Sequence, residues 1–343
     1  MKQETIRWGM LGCGDVTEVK SGPALQKAAG SQLAAVMRRD AVKAADYARR
    51  HNVPFSTNDA RELINRSDVD IVYIATPPGS HLELALKVCA AGKPCYVEKP
   101  MARSAAESSV MLEAFKRAGL PLFVAFYRRG QERFKTVKRL LEEGRLGTLT
   151  SVAYDFEKQC PSGPDPAGLP WRLNAADSGA GLFYDLGSHL LDILDFLLGP
   201  LEDVAGVAAN RASLHDVEDA VAMSFSAMGA PSVARWNFAA PGDRDKIELE
   251  GTKGRITFSC FGNDPARLET GTGAEEFPFE PPRHVHQPLV QTIVDELLGT
   301  GKCPSTGETA LRTMKVMDTV LQRYYGGRED EFWTRPGSWP GRR

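Results

Sequence analysis

The chain has 343 residues, enough for about two domains, and its 42% hydrophobic and 25% charged residues are typical of a globular protein with a large core. Its 42 Lys and Arg residues nearly balance 44 Asp and Glu residues, so the net charge of -2 argues against nucleic acid or an anionic membrane as a partner. Every strongly apolar stretch is too short, or too interrupted by charge, for a membrane-spanning helix of roughly 20 residues.

The start of the chain and the cysteines both predict a cytoplasmic protein. The residues from Met1 to Ile6 lead directly into a strand-like segment, without the apolar core of a secretory signal or the Arg-rich pattern of a transit peptide. The six cysteines contain no CxxC pair, so we expect reduced thiols that mostly fill the core. They are Cys13, Cys89, Cys95, Cys160, Cys260 and Cys303.

Short apolar runs alternate with helical stretches over the first 126 residues. The apolar runs are Ile6 to Leu11, Leu33 to Met37, Ile71 to Ala75, Cys95 to Val97 and Leu122 to Phe126. The helical stretches are Ala41 to His51, Asn58 to Asn65, His81 to Ala91 and Ala105 to Ala118. Repeated βα units predict a parallel sheet with helices on both faces. We therefore predict an α/β protein whose residues 1–126 form a doubly wound, dinucleotide-binding domain.

The pattern changes from Leu149 onward. Predicted strands are Leu149 to Glu157, Val204 to Asn210, Val221 to Ala227, Ser232 to Ala239, Asp245 to Glu250 and Gly254 to Cys260. Predicted helices are Tyr184 to Leu197, Gln287 to Leu298 and Glu308 to Tyr325. Consecutive strands predict an α+β domain with a largely antiparallel, open sheet over residues 127–327, whose terminal helix packs within it or back on the first domain. Residues 328–343 are predicted to form an irregular tail that can face a partner.

The first candidate site is the turn from Gly12 to Thr17 after the first strand. Glycines at this point permit a tight turn and let backbone N–H groups approach a pyrophosphate at a helix N-terminus. Predicted cofactor contacts are Gly12, Gly14, Asp15 and Val16. Thr17 stands where a third glycine is usual, a position that mainly governs helix–strand packing. A plain αβ turn is the alternative interpretation of so short a motif.

The end of the second strand indicates which nicotinamide cofactor binds. An NAD site usually places an acidic residue here to hold the ribose. Arg38 and Arg39 occupy this region instead, and guanidinium groups suit the 2′-phosphate of NADP. We predict NADP(H) in preference to NAD(H); NAD(H) is the alternative if Asp40 holds the ribose in a shifted register.

Two loops follow later strands of the predicted parallel sheet, one from Thr76 to His81 and one from Glu98 to Pro100. Loops at the carboxyl ends of parallel strands line the ligand crevice. The further predicted cofactor contacts are Thr76, Pro77, His81, Glu98, Lys99 and, after the fifth strand, Arg128. Lys99 can also present an ammonium group to a substrate oxygen. The alternatives are a surface charge pair at Glu98 and Lys99, and a helix-capping role for His81.

A glycine-containing segment, Gly179-Ala180-Gly181, precedes the helix that carries Asp185 and His189. Residues four apart share a helix face, which Asp192 continues. Histidine is the natural proton carrier near neutral pH, and the glycines would let a ligand come close. The alternative is a modest helix-stabilising contact between the two side chains.

These groups, in this order, resemble the glucose-fructose oxidoreductase and inositol dehydrogenase superfamily, Gfo/Idh/MocA. The resemblance covers nearly the whole chain: an N-terminal GxG turn, a Thr-Pro…His loop, Glu98-Lys99-Pro100 and a GGxxxDxxxH-like helix, in which Ala180 interrupts the usual glycine run. It implies an N-terminal Rossmann domain and reversible hydride transfer between nicotinamide and a secondary alcohol or carbonyl of a sugar, polyol or related diol. It also implies a homodimer or homotetramer formed through the C-terminal sheet.

The resemblance maps the active site onto Lys99, Asp185 and His189. His189 is the candidate proton donor and acceptor, Lys99 the group that polarises the substrate oxygen, and Asp185 the group that orients the two; Lys99 and His189 can exchange roles. The predicted substrate-binding residues are Tyr127, Tyr154, Trp171 and Arg172, because aromatic rings can cover the apolar faces of a sugar and arginine can bind its hydroxyls.

Two other functions remain open, and a metal-dependent one is not favoured. Some relatives in this superfamily use the dinucleotide transiently to cleave glycosides, and others are non-catalytic dinucleotide-sensing regulators, a function that the presence of Lys99, Asp185 and His189 disfavours. We predict no metal site, because His284 and His286 form an HxH pair without a CxxC or HExxH companion.

Overall fold

The computed structural model describes residues 4–159, 170–212 and 215–342, which form two compact units. The first unit contains the described chain up to Ala102, together with Glu107–Gln131 and Pro281–Leu311. The second unit contains Arg103–Ala106, Glu132–Glu280 and the chain from Arg312. Five of the six cysteines are free thiols and four of these are buried; Cys160 lies outside the described residues.

A six-stranded parallel sheet forms the centre of the first unit. Its strands are β1 (Ile6–Leu11), β2 (Ser31–Met37), β3 (Phe55–Thr57), β4 (Ile71–Ile74), β5 (Cys95–Val97) and β6 (Leu122–Val124), in the spatial order β3-β2-β1-β4-β5-β6. Strands β4, β5 and β6 are buried at every position, as expected for strands covered on both faces. The order reverses beside β1, which creates the switch point where doubly wound sheets bind ligands.

Six helices connect these strands: α1 (Asp15–Val19), α2 (Gly22–Lys27), α3 (Ala41–His51), α4 (Ala60–Ile64), α5 (His81–Ala90) and α6 (Ala105–Ala118). Aspartates begin two of them, because the Asp40 carboxylate accepts the Lys43 N–H and the Asp59 carboxylate accepts the Arg61 N–H. The predicted α/β fold of this unit is confirmed.

The second unit is built on an eight-stranded sheet. In chain order its elements are α7 (Glu132–Glu142), β7 (Leu149–Gln159), α8 (Ala175–Ser178), α9 (Ser188–Leu198), β8 (Leu201–Ala209), β9 (Ala220–Ala227), β10 (Ala230–Ala240), β11 (Arg244–Gly251), β12 (Gly254–Phe258), β13 (Ala266–Thr270) and β14 (Gly273–Phe277). The spatial order is β14-β13-β12-β11-β7-β10-β9-β8, and β7 pairs with β10 in parallel while the other neighbours are antiparallel. The predicted, largely antiparallel sheet is therefore confirmed.

One face of this sheet is buried and the other is open. Buried and exposed residues alternate along β10 from Ala230 to Trp236, which is the period of a strand with one solvated face. Helix α9 is buried at ten of its eleven positions, including Asp192 and Asp195. The Asp195 carboxylate accepts two hydrogen bonds from the Arg312 guanidinium, at 2.7 and 2.8 Å, so its charge is paired.

Two further helices, α10 (Gln287–Leu297) and α11 (Gly307–Tyr325), follow the second sheet in the chain. Helix α10 belongs to the first unit, where its Leu289, Val290, Ile293 and Val294 are fully buried in the core around Trp8. Sequence analysis assigned residues 127–327 to the second domain as one piece. The structure differs because the apolar face of α10 completes the core of the first unit.

Several short or polar elements are absent from the sequence predictions. Strand β3 has only three residues, and β14 reads Gly-Ala-Glu-Glu-Phe with four exposed positions. Helix α7 is rich in charge, but its buried Phe134, Val137 and Leu140 follow a helical period. Strand β3 pairs with β2 and β14 pairs with β13, so pairing with a neighbouring strand defines these two short strands rather than their own composition.

The tail packs on its own unit, which corrects the prediction of an irregular, partner-facing arm. It contains two short 3-10 turns, Phe332–Thr334 and Pro336–Ser338. Phe332 and Trp339 are buried, and the Trp339 ring meets the Tyr325 ring edge-on at 4.7 Å. Aromatic side chains gain most from burial, which accounts for this packing. Among the helices of the described chain, none combines the length and hydropathy of a membrane span.

Candidate functional site

The glycine turn after β1 has the geometry of a phosphate cradle. Gly12 has φ of +93°, and an added Cβ there would lie 2.8 Å from the Thr76 Cγ2 atom. Above Gly14 there is open space, since a Cβ would meet only the Gly12 oxygen, at 4.0 Å. The backbone at Gly14 is therefore accessible to a phosphate group, and a side chain would obstruct it. Asp15, which is exposed, and Val16, which is partly exposed, begin α1 directly after this turn.

Thr17 is accommodated at the usual third-glycine position by turning its polar groups inward. Its hydroxyl donates to the Gly14 carbonyl at 2.7 Å, and its own carbonyl accepts the Tyr47 hydroxyl at 2.8 Å. The close helix packing is provided by Gly22, where an added Cβ would lie 2.2 Å from the Tyr47 hydroxyl oxygen. The departure from a GxGxxG pattern therefore leaves the turn intact.

Arg38 lies over the glycine turn. Its Nη1 atom donates to the Cys13 carbonyl at 3.0 Å, and the side chain is only partly exposed. Arg39 is exposed. Asp40, the alternative ribose ligand, instead caps α3 through the Lys43 N–H, and this hydrogen bond lowers the pKa of its carboxyl. The guanidinium closest to the glycine turn is therefore that of Arg38.

His81 joins two of the predicted loops from a buried position. Its Nε2 atom lies 2.8 Å from the Thr76 carbonyl oxygen, and its Nδ1 atom lies 3.2 Å from the carbonyl oxygens of Pro100 and Met101. Burial lowers the pKa of the imidazole. The His81 side chain is fully buried against backbone, and a direct contact with the cofactor stays a prediction. Pro77 follows Thr76 in this loop, and the Thr76 hydroxyl accepts a hydrogen bond from the Ser80 hydroxyl.

Glu98 is buried at the end of β5 and organises the loop that carries Lys99. Its carboxylate accepts the Tyr73 hydroxyl and, at 3.1 Å, the Lys99 backbone N–H. Burial, together with the interaction with Glu98, raises the pKa of the Tyr73 hydroxyl well above its ordinary value. Lys99 itself is partly exposed at the same sheet edge as the glycine turn.

His286, which sequence analysis considered only as half of an HxH pair, packs beside this edge. Its ring stacks on Tyr127 at 4.6 Å, and its Nδ1 atom lies 3.1 Å from the Tyr96 hydroxyl. The buried Arg128 guanidinium lies 4.9 Å from the Tyr127 ring centre. Burial, helped by Lys20, Lys99 and Arg128, lowers the His286 pKa to about 3, so the ring is neutral. In the described parts of the chain, no group of three His, Cys, Asp or Glu residues could hold a metal.

In the second unit, Asp185 and His189 lie where a π-helical turn leads into α9. Residues Phe183–Gly187 form this turn, and His189 is buried in the first turn of α9. The Asp185 carboxylate accepts the Arg172 Nε hydrogen at 3.0 Å, and the Arg172 guanidinium lies 4.5 Å from the Trp171 ring centre. Asp185 and His189 therefore do not lie on one face of a regular α-helix, as their spacing predicted, because Asp185 belongs to the π-helical turn. Such turns often occur at functional sites.

The segment before this turn needs glycine at two positions and tolerates Ala180 between them. Gly179 has φ of +91°, and a Cβ there would lie 2.5 Å from the Arg103 oxygen. At Gly181 a Cβ would lie 2.5 Å from the Glu218 oxygen. The Ala180 methyl is fully buried, so the interrupted glycine run keeps both close backbone approaches.

Two buried charged residues from distant segments hold this glycine segment. The Glu218 carboxylate accepts the Gly181 N–H at 3.0 and 3.1 Å and also accepts the Tyr325 hydroxyl. Burial raises the Glu218 pKa to about 7. Arg328 donates to the Gly179 oxygen at 3.0 Å and to Asp318 at 2.6 Å. Sequence analysis missed both residues, because neither lies in a motif.

Tyr154, a predicted substrate contact, lies on the buried face of the second sheet. Its ring meets Trp236 edge-on at 5.4 Å, and its hydroxyl donates to Asp245 at 3.3 Å. Alternate residues of β7 point inward, and Tyr154 shares the buried parity of Val152 and Phe156. Its role as a substrate contact stays a prediction. Trp171 is partly exposed, and Arg172 is exposed.

Comparison with known proteins identifies the family to which this fold and these motifs belong. A model of the NAD-binding Rossmann fold of an oxidoreductase family, GFO_IDH_MocA, matches residues 6–126, and a model of the GFO/IDH/MocA C-terminal domain matches residues 134–257. Oxidoreductase P35 of Formosa agariphila is 34% identical over 319 residues, which cover 92% of this chain and 98% of that protein. The chain belongs to the GFO/IDH/MocA oxidoreductase family.

Other members act on sugars and cyclitols, according to their names. Levoglucosan dehydrogenase of Pseudarthrobacter phenanthrenivorans is 34% identical over 164 residues, 48% of this chain and 42% of that protein. Inositol 2-dehydrogenase of Rhizobium meliloti is 28% identical over 278 residues, 78% and 79% of the two chains. A solved levoglucosan dehydrogenase in complex with NADH shares the fold, with a TM-score of 0.83 at 22% identity over 93% and 96% of the chains.

This GFO/IDH/MocA oxidoreductase thus carries its nicotinamide-binding elements on the first unit. The open backbone at Gly14, Arg38 and the loops at Thr76 and Glu98 lie at the carboxyl edge of one parallel sheet. Lys99 belongs to that unit, whereas Asp185 and His189 belong to the second.

Proposed function

We propose that this oxidoreductase is an NADP-preferring dehydrogenase or reductase that acts on a secondary alcohol or carbonyl of a sugar, polyol or related diol. The observation that carries the proposal is that the Arg172-linked Asp185 and His189 lie at the start of the same helix, in a chain that also carries Lys99 at the sheet edge of the glycine turn. A regulator that only senses the dinucleotide needs none of these three groups.

The cofactor preference follows from the position of Arg38. Its guanidinium is fixed over the glycine turn by the Cys13 carbonyl, where it can pair with a 2′-phosphate. Asp40, the acid that sequence analysis offered as the alternative ribose ligand, instead accepts the Lys43 N–H as the cap of α3. Arg39 is the second, exposed source of positive charge.

His189, Lys99 and Asp185 each have a separate proposed role in the oxidation of an alcohol. The bound nicotinamide supplies hydride acceptance and donation. His189 takes the proton from the substrate hydroxyl, or returns it in reduction, and Lys99 donates a hydrogen bond to the same oxygen. Asp185 stabilises the positive charge that His189 gains, and its Arg172 partner keeps that carboxylate oriented.

The substrate class rests on the relatives and on exposed groups near the proposed proton carrier. Trp171 and Arg172 form a ring-and-guanidinium pair that can bind the C–H face and hydroxyls of a carbohydrate. Tyr127 provides a second ring, stacked on His286 in the first unit. The named activities of levoglucosan and inositol dehydrogenases favour a ring-closed polyhydroxy compound.

The function is tested by two substitutions assayed with a panel of aldoses, cyclitols, polyols and dicarbonyls, followed through NADPH absorbance. Lys99→Ala and His189→Ala are each expected to lower turnover by about 10²-fold, the scale of a positioned proton-transfer group, while NADPH binding persists. Near-normal turnover of both variants contradicts the assignment. Sugar release from a glycoside without accumulation of NADPH indicates the hydrolase alternative.

We also propose that the enzyme is a homodimer or homotetramer formed through the open face of the second sheet. Val207 and Val233 are 58% and 57% exposed on this face, and Arg235 pairs with Asp155 and Glu157 beside them. An apolar patch rimmed by charge is typical of an interface. Val233→Glu is expected to shift the sedimentation coefficient to that of a monomer; Val42→Glu, on α3, is the control.

A further inference from the structure

Phe261 is a partly exposed aromatic residue beside the proposed proton carrier. Its ring meets the His189 ring edge-on, with centres 5.7 Å apart and planes at 83°. Neighbouring aromatic residues of the same sheet face, Phe156, Trp236 and Phe238, are at most 5% exposed. Phe261 is therefore only partly covered, whereas these other members of the aromatic cluster are buried.

The backbone of Phe261 is held from one side by Asp245. This carboxylate accepts the N–H groups of Cys260, Phe261 and Gly262, at 3.0, 2.5 and 3.2 Å. The Tyr154 hydroxyl donates to the same carboxylate at 3.3 Å. Hydrogen bonds to a charged acceptor are stronger than neutral ones, so three of them in succession restrict this turn closely.

The same loop is held from the other side by Arg133. This buried guanidinium donates to the Gly262 oxygen at 2.6 Å, the Ser259 hydroxyl at 2.8 Å and the Asp264 oxygen at 3.2 Å. It also lies 4.5 Å from the Phe279 ring centre. Buried Arg133 and half-buried Asp245 thus hold the loop that carries Phe261, although the Phe261 side chain is only partly buried. Packing of the core alone does not require two charged residues at such a loop.

We propose that Phe261 is a substrate-contact residue whose ring packs on the apolar C–H face of a ring-closed sugar or cyclitol, and that it thereby selects such substrates over open-chain polyols. This inference rests on the proposed function, since it needs a substrate at His189. A closed ring presents several C–H groups on one rigid face, whereas an open chain must lose rotational freedom to do the same.

The experiment compares the wild type with Phe261→Ala and Phe261→Leu, with levoglucosan and myo-inositol as ring-closed substrates and sorbitol as the open-chain one. Phe277→Ala, another partly exposed phenylalanine of the same sheet, is the matched control. Both Phe261 variants are expected to raise KM for the ring-closed substrates about tenfold, the scale of one aromatic contact, with KM for sorbitol and for NADPH unchanged. Leucine keeps most of the apolar volume, so it remains informative if the alanine variant does not fold.

The role of Asp245 in holding the Phe261 loop is tested with two variants, Asp245→Asn alone and Asp245→Asn combined with Phe261→Ala. The double variant is expected to show the same KM as Phe261→Ala, because Asp245 acts on the substrate only through the phenylalanine. Additive effects, or equal increases of KM for ring-closed and open-chain substrates, overturn the proposal. A purely structural role would lower the thermal midpoint and leave KM unchanged.

Failure of the proposed function is recognised separately. If the wild type reduces or oxidises no compound of the panel, the dehydrogenase assignment fails, and calorimetric titration of the NADP-loaded protein with levoglucosan and myo-inositol still tests Phe261. Weaker binding by Phe261→Ala supports the contact. Equal binding by wild type and variant, or no binding by either, overturns it.

Discussion

Arg38 is the side chain on which the proposed preference for NADP depends. It stands at the end of β2, where the Cys13 carbonyl holds its guanidinium over the glycine turn. Arg39, next in the chain, is exposed, and Asp40 is occupied as a helix cap. These three adjacent residues thus have different surroundings, and Arg38 is the one whose guanidinium is hydrogen-bonded to the glycine turn.

Arg38→Asp is expected to reverse or flatten the preference for NADP, because the new carboxylate repels a 2′-phosphate and can accept hydrogen bonds from an NAD ribose. The measurement is kcat/KM for NADP and NAD with one common substrate. Arg39→Asp, with its exposed side chain, serves as the control and is expected to change the ratio much less. Equal or better use of NAD by the wild type would contradict the assignment.

At the scale of elements, the start of α9 depends on distant partners. The π-helical turn from Phe183 to Gly187 carries Asp185, and the glycine segment before it is fastened by Glu218 and Arg328. A helix with ten buried positions has little freedom to move, so the position of His189 is determined by this packing. The backbone approaches at Gly179 and Gly181 are equally close, since an added Cβ would lie 2.5 Å from a backbone oxygen at either position.

Gly181→Ala is expected to lower the free energy of unfolding by about 2 kcal/mol, because its methyl group would lie 2.5 Å from the Glu218 backbone oxygen. Turnover should fall as well, since the segment leading to Asp185 must shift. Gly271→Ala is the matched control, because a Cβ there meets nothing within 4 Å. Urea denaturation and steady-state kinetics measure the two effects; similar behaviour of both variants would show that the close approach is unimportant.

At the scale of the whole molecule, Glu218 links pH to stability. It is fully buried, and its pKa is raised from 4.5 to about 7 in the folded protein. Between these values the folded chain retains a proton that the unfolded chain has lost. The contribution of this residue is therefore fully present below pH 4.5 and is lost as the pH rises through 7.

Glu218→Gln removes this titration while keeping an oxygen that can accept the Gly181 N–H. Relative to the wild type, the variant is expected to gain up to about 3 kcal/mol of unfolding free energy as the pH is raised from 4.5 past 7, and to show a constant difference above that range. Urea denaturation at several pH values measures the difference. Parallel pH profiles for the two proteins would mean that Glu218 keeps an ordinary pKa.

The sequence was most informative where chemistry and structure are local. The alternation of apolar runs and helical stretches predicted the parallel sheet, and the GxG turn, Glu98-Lys99-Pro100 and the Asp185–His189 pair were visible because their members are neighbours in the chain. Periodicity reports which residues face a core, and short motifs report which backbone shapes are required. The family resemblance rests on these same local features.

Only the tertiary structure decided which distant side chains meet. His286 joins Tyr127 from more than a hundred residues away, Glu218 reaches Gly181, and Arg133 holds the loop of Phe261. Tyr154 shares the parity of Val152 and Phe156 on β7, so the alternation of that strand already indicated that its ring packs on the buried face. Local sequence therefore determined the elements and the candidate reacting groups. The burial that lowers the pKa of His286 and raises that of Glu218, and the hydrogen bonds that hold the loop of Phe261, arise from contacts between segments that no local pattern records.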